Sequence, residues 1–490
     1  MFDPLDRCQA DAVIDGGRPH SLLRGPFALG IVALCVTTGC FSERSFPVRP
    51  QTVLRLTDRA EIVSDPAPAN TRAWLAQTHS RFARALPPLD RKALLTADLA
   101  RDGKPVDVFK KMRCSPDNLH TIVVNLEGLE HTAQATGPDA SRTEPLPEWP
   151  GFDDVWIPVR EGLSVSGRLG LAQRDGRVIR ANCVIILPGL LGDLAPKRTR
   201  DVAAALREAG LHVLAVENAG IGRTFQRYPG VPCTFGVLES RDLVRVAEYL
   251  QSRDEVLDTG IIGFCWGANQ ALLAAWEGAR PRAHPSVAPE YQTWFGPVPR
   301  RPVFQAGVMA FSPVLRFEEI IAQTQSRDWG LLENPVLSKL QGTIRARFHQ
   351  INVPEAGISG DLLALIRYEA AFAEIDFPGK VERGLDYLRL MPFGDKSAGD
   401  KWRDFDMPVV IVQGVNDPLT SAQNVADLFA TVDNPNVAAV VLRGGGHIGF
   451  APFARDYFYS LILSFFDPAR GPRAVADHRM AARSGTNPFE

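Results

Sequence analysis

The stretch IIGFCWGANQALLAAW, Ile261 to Trp276, decides how the rest of the chain is read. An apolar run breaks at Gly263, presents Cys265 beside Trp266, passes Gly267 and continues into an alanine-rich segment with helical character. Small residues two before and two after the cysteine let a strand turn sharply into a helix and lift the side chain between them clear of the sheet. A thiol at that point sits at a helix N-terminus, where unpaired N–H groups favour the thiolate, and a nearby histidine would favour it further. Burial among Ile261, Ile262 and Phe264 acts the other way. The competing reading is a small apolar residue that packs a strand end. No G-x-S-x-G occurs elsewhere, so no serine competes for the role of nucleophile.

Alternating elements surround this turn. Beta-rich runs VWIPV, SVSGRLGLAQ and VIRANCVIILPG follow Asp153 and read as consecutive antiparallel strands leading into a buried central one. Helices are predicted over Thr199–Ala209, Leu238–Ser252 and Ala268–Trp276, and strands over Leu211–Glu217, Thr259–Phe264, Val303–Phe311, Pro408–Gly414 and Asn436–Gly444. A closing helix is expected over Phe453–Phe466. The pattern predicts an α/β fold with a mostly parallel central sheet, helices on both faces, antiparallel N-terminal strands, and reactive groups at the carboxyl ends of strands.

Three further segments fall at such ends. VNDPLTS follows the strand PVVIVQG and offers Asp417 to orient an imidazole, with Asn416 and Asp433 as weaker candidates. GGHIGF follows NVAAVVLRG and offers His447 as base in a glycine-flanked loop. The order Cys265, Asp417, His447 is nucleophile, acid, base. LPGLLGD, Leu187 to Asp193, is a glycine-rich loop able to turn a main-chain N–H toward the reaction centre, which makes Leu190 and Trp266 the expected oxyanion donors.

At these residues the chain resembles the α/β-hydrolase superfamily over roughly 153–468. PGLLG, GFCWGAN, the NDP at 416–418 and GGHIGF look most like its YheT-like branch. Cysteine stands where that branch usually has serine, Ala268 replaces its second glycine, and Asn218-Ala219-Gly220 lacks the branch's arginine. A cysteine elbow is similar to that of dienelactone hydrolases and polyhydroxyalkanoate synthases. The resemblance implies a hydrolase of ester, thioester or lactone bonds that acts on a small-molecule acyl substrate through an acyl-cysteine. Two alternatives stay open: an acyltransferase using the same intermediate, and a non-catalytic binding protein of this fold at the cell envelope.

Around this core the chain divides into a leader over 1–40, an N-terminal helical extension and linker over 41–150, an α/β domain over 151–468 with an insertion at 313–407 read as a lid, and a polar tail over 469–490. In the leader, the uncharged run FALGIVALCVTT is too short to span a membrane comfortably and suits a signal-peptide core, and Gly39-Cys40 resembles a lipobox. Export with lipidation at Cys40 is the expectation, and a cytoplasmic protein with a mis-assigned start the alternative. Thr37 in place of leucine and the four aspartates ahead of the run depart from that pattern. In the extension, Trp74, Leu75, His79, Phe82 and Leu86 have helical spacing, Leu89–Leu99 is a second predicted helix, and no residue suggests chemistry.

The whole chain has 490 residues, 45% apolar and 22% charged, with a net charge of -2, which leaves no general basic field for nucleic acid. The seven cysteines show no zinc spacing, and no cofactor or metal is expected. A reactive thiolate in an oxidising compartment would be liable to oxidation, so export and a working Cys265 are in tension unless the pocket shields the sulfur.

Overall fold

A computed structural model describes residues 70–86, 119–136, 148–279, 299, 301–325, 335–353, 360–372, 399–467 and 471–472. The leader with Cys40, the helix expected at Leu89–Leu99 and nearly all of the tail lie outside these residues. Among the described residues two helices come first, α1 (Thr71–Ala85) and α2 (Leu119–Thr136). The sheet strands are β1 (Asp153–Arg160), β2 (Leu163–Gly170), β5 (Ala181–Leu187), β6 (His212–Val216), β7 (Val256–Phe264), β8 (Gly307–Phe311), β9 (Val409–Gly414) and β10 (Val437–Leu442). A separate two-stranded hairpin is formed by β3 (Gln173–Arg174) and β4 (Arg177–Val178). Between and after the strands run α3 (Lys197–Glu208), α4 (Gly222–Arg227), α5 (Glu239–Gln251), α6 (Trp266–Ala279), α7 (Phe317–Gln325), α8 (Pro335–Gln350), α9 (Leu362–Phe372), α10 (Gly399–Arg403), α11 (Ala422–Phe429), α12 (Phe450–Phe453) and α13 (Arg455–Phe466).

The eight strands lie in the order β1-β2-β6-β5-β7-β8-β9-β10, antiparallel from β1 to β6 and parallel from there on. The antiparallel entry is as expected, except that β2 hands over to β6 rather than to the next long strand. The continuous apolar runs reflect burial on both faces. Val409, Ile411, Val437, Ala439 and Val441 join one core, while Val410, Val412, Ala438, Val440 and Leu442 join the other. This is the two-residue alternation of a strand covered on both sides. Each buried Val, Ile or Leu among them stabilises the fold by roughly 1.5–3 kcal/mol, and each alanine by less.

Two boundaries differ from the expectation for backbone reasons. The strand expected from Val303 begins only at Gly307, because the left-handed backbone at Phe304 (φ 59°) breaks the extended run ahead of it. The single closing helix is two, broken at Ala454 (φ -147°, ψ 73°).

The N-terminal helices are built into the fold. Asn70 caps α1 by accepting from Ala73 N at 3.0 Å. Trp74, Leu75, Phe82 and Leu86 are buried in the second core, with Trp74 against Phe465 and Phe82 against Tyr457. Burial alone holds the His79 imidazole down at about 4, so it is a neutral core group bonded to Tyr457 Oη at 3.0 Å. Arg72 reaches the outermost strand, donating to Val437 O and Val432 O at 2.9 Å each.

The long insertion leaves the carboxyl end of β8 and carries α7, α8 and α9, which pack on one another. A buried ion pair joins Arg347 on α8 to Glu369 on α9 at 2.5 Å. The same carboxylate accepts from Cys233 N at 3.0 Å, tying the insertion to the loop after α4.

Candidate active site

Four strand ends bring the expected residues together. β7 stops at Phe264 and α6 starts at Trp266, so the whole change of direction falls on Cys265, whose φ of 54° is left-handed and unusual for a residue with a Cβ. The turn is fixed by hydrogen bonds from Cys265 N to Phe311 O (2.8 Å) and from Ala268 N to Cys265 O (2.9 Å). Both flanking glycines are sterically required. A Cβ on Gly263 would lie 2.2 Å from Gly267 O, and one on Gly267 would lie 2.1 Å from Pro188 O. The glycine spacing that marked the stretch in the sequence therefore answers to backbone contact, with the PGLLG loop pressed directly on the elbow.

Cys265 is half-buried, whereas Cys183 and Cys233 are wholly inside. Burial raises the thiol, but the neighbouring positive charge of His447 outweighs it, together with main-chain N–H groups of Trp266 and Leu190 directed toward the sulfur. The net displacement is downward. Cys183 has no such surroundings, and burial pushes its thiol far up. The main-chain N–H groups of Leu190 and Trp266, the two expected oxyanion donors, are thus both directed at the Cys265 sulfur.

His447 is 2% exposed. Its Nδ1 contacts Asp417 Oδ2 at 2.9 Å and Oδ1 at 3.1 Å, while Nε2 makes no regular hydrogen bond and interacts with the Cys265 thiol. Burial lowers the imidazole, but the Asp417 carboxylate and then the cysteine sulfur carry it up to about 10. Asp417 is itself well held: Oδ1 accepts from Leu419 N (2.8 Å) and Thr420 N (2.9 Å), and Oδ2 from Thr420 Oγ1 and Gln413 Nε2 (2.8 Å each). Burial raises this carboxyl, yet His447 and the donors bring it below its ordinary value. Just past the end of β6, Glu217 holds the start of α4 by accepting from Arg223 N at 2.8 Å. Burial, with help from the Asp193 charge, lifts its carboxyl to about 7.

Several residues of the site escaped the sequence reading. Gln413 is the penultimate residue of an otherwise apolar strand, and that polar interruption was the available signal. Asn416, a weaker candidate for the acid, instead accepts from Gly446 N at 2.9 Å and shapes the base loop. Asp433 is exposed on the loop before β10. Thr132 of α2 accepts from His447 N at 2.7 Å, a contact spanning 315 positions for which the sequence carries no signal. Among the described residues no cluster of three metal-ligating side chains is present, and no helix is long and apolar enough to cross a membrane.

No curated protein matches the chain. Among solved structures it is similar to the Pyrococcus furiosus esterase Pf2001, at 17% identity and TM-score 0.41, over 67% of this chain and 98% of that one. It is also similar to Est1E from Butyrivibrio proteoclasticus, at 15% identity and TM-score 0.36, over 68% and 99% of the two chains. For the Pyrococcus horikoshii acylaminoacyl peptidase the values are 10% identity and TM-score 0.39, over 64% and 41%. A family model described as the alpha/beta hydrolase family matches residues 184–458, which hold the elbow, the acid and base loops and all six parallel strands except the first three residues of β5. The chain belongs to the alpha/beta hydrolase family.

Proposed function

We propose that this member of the family hydrolyses carboxylic ester, thioester or lactone bonds with Cys265 as nucleophile, His447 as base and Asp417 as its orienting acid. One observation carries the reading: a buried His447, bonded to Asp417 on one nitrogen, turns the other toward a half-buried thiol on which two main-chain N–H groups also converge. His447 Nε2 takes the thiol proton, and the sulfur attacks the carbonyl carbon. The resulting oxyanion is stabilised by the N–H groups of Leu190 and Trp266. Collapse breaks the bond to the leaving alcohol or thiol, which takes the proton from His447 and leaves an acyl-cysteine. Water then gives a proton to His447 and attacks the thioester, releasing the acid and the thiolate, which is reprotonated from the imidazolium or kept as the ion pair.

The motifs PGLLG, GFCWGAN and GGHIGF support placement near the YheT-like branch, and Gly39-Cys40 supports attachment at the envelope through a lipidated Cys40. Cys265→Ala should abolish turnover of an activated ester such as p-nitrophenyl acetate, and mass spectrometry of the wild type should find acyl adduct on Cys265. Unchanged turnover in the alanine variant would exclude this nucleophile. Radiolabelled palmitate incorporation that survives Cys40→Ser would exclude the anchor.

A further inference from the structure

Helix α2 lies outside the segment matched by the family, yet its middle enters the gap between the acid loop and the base loop. A Cβ on Gly128 would sit 2.1 Å from Asn416 O, and one on Gly446 would sit 2.1 Å from Gly128 O. One turn later a Cβ on Gly449 would meet His131 O at 2.4 Å. Three glycines on two segments have thus been thinned to bare backbone where the helix touches the loops.

Within this contact Thr132 is wholly buried. Its hydroxyl donates to Gly128 O at 2.6 Å, which fixes its rotation, and it accepts from His447 N at 2.7 Å. The base loop needs such support. Gly445 (φ 101°), Gly446 (φ 52°) and Ile448 (φ 59°) are all left-handed, so no regular element holds the main chain on either side of His447. Gly446 N and Ile448 N go to Asn416 Oδ1 and Ser312 Oγ at 2.9 and 3.4 Å. The Thr132 bond is the shortest of the three and the one made by the base residue itself.

We propose that Thr132 is a positioning residue: by holding the main chain of His447 while Asp417 holds its ring, the hydroxyl of α2 aims Nε2 at the Cys265 sulfur. This rests on the function proposed above. Loss of the hydroxyl leaves a buried N–H without an acceptor and frees the loop to move, and a displacement near 1 Å at reacting groups costs on the order of 10²-fold in rate.

The test compares wild type with Thr132→Val, Thr132→Ala and Thr132→Ser by alkylation of Cys265 with iodoacetamide across pH 5 to 10 and by kcat and KM on an activated ester, with circular dichroism to confirm folding. Wild type should alkylate with a midpoint below that of an ordinary thiol. Thr132→Val and Thr132→Ala should move that midpoint upward and lower kcat roughly 10- to 100-fold with KM within about twofold, and Thr132→Ser should recover most of both. A folded valine or alanine variant with the wild-type alkylation profile and kcat would overturn the proposal, as would a serine variant as impaired as valine. If wild-type Cys265 reacts no faster than a free peptide thiol, the nucleophile assignment falls and this role with it, an outcome distinct from a fast wild type with insensitive variants.

Discussion

Replacing Gly267 by alanine tests whether the elbow and the PGLLG loop act as one unit. The added methyl would stand 2.1 Å from Pro188 O and 3.1 Å from both Leu187 O and the Pro188 carbonyl carbon. All three atoms are main chain, so no flexible side chain can yield, and the loop carrying Leu190 must retreat by about 1 Å to restore ordinary contact. Overpacking of this kind costs about 1–3 kcal/mol of stability. The larger effect falls on rate: Leu190 N–H is drawn away from where the oxyanion would form while Trp266 N–H stays with the helix, and losing one such donor costs about 10²–10³ in kcat, or ~3–4 kcal/mol of barrier. Steady-state hydrolysis of an activated ester gives the kinetic arm, and urea unfolding followed by tryptophan fluorescence gives the stability arm. The expected result is a kcat reduced about 100-fold, KM nearly unchanged, and a modest loss of stability. A variant that loses stability but keeps kcat would show that the loop's distance from Cys265 does not govern the reaction. One that loses neither would refute the contact itself.

Asp417→Asn should lower kcat by about 10⁴, because an amide NH₂ would face either the backbone donors of Leu419 and Thr420 or the Gln413 and Thr420 side chains; a loss under tenfold would dismiss the acid. Glu217 ionises near 4.5 in the unfolded chain and near 7 in the fold, so the unfolded state gives up its proton first and stability falls as pH rises across that window. Glu217→Gln should remove that slope, so the wild type should lose about 2–3 kcal/mol relative to the variant between pH 4.5 and 8 in urea titrations; a pH-independent difference would contradict it. In the insertion, Arg347→Met leaves Glu369 charged and buried and should cost about 3–5 kcal/mol by chemical denaturation, with the double variant Arg347→Met/Glu369→Met recovering part of it. A neutral single variant would show that the pair does not hold the insertion.

What the sequence revealed and withheld follows from the range of the forces involved. The elbow was legible because Gly263 and Gly267 are local necessities of one turn, and the strands because burial on both faces leaves unbroken apolar runs. The order of Cys265, Asp417 and His447 along the chain was legible because each follows its own strand. Thr132 was not, since a threonine one turn after a glycine in a helix looks like any other until a loop 315 positions away closes on it. Asn416 was read as a possible acid because residue type suggests chemistry, while its hydrogen bond to Gly446 N depends on a fold-level approach of two loops. The late start of β8 turns on left-handed backbone at Phe304, which an ordinary apolar side chain does not announce.

Arg72 gives the N-terminal segment a further meaning. β10 is the last strand of the sheet, and its outer row of N–H and C=O groups is the kind of edge on which a second chain can add a strand. The guanidinium of Arg72 occupies Val437 O on that edge and Val432 O in the approach to it, while its own N–H takes Pro435 O at 3.2 Å. A charged, non-extended helix thereby stands where an intruding strand would have to dock. Excising the family-matched segment 184–458 would uncover that edge together with the seat of Phe82 on Tyr457, leaving an unpaired strand edge beside an apolar patch. The boundary of the family-matched segment and the boundary of what shields the sheet edge are therefore different lines on this chain.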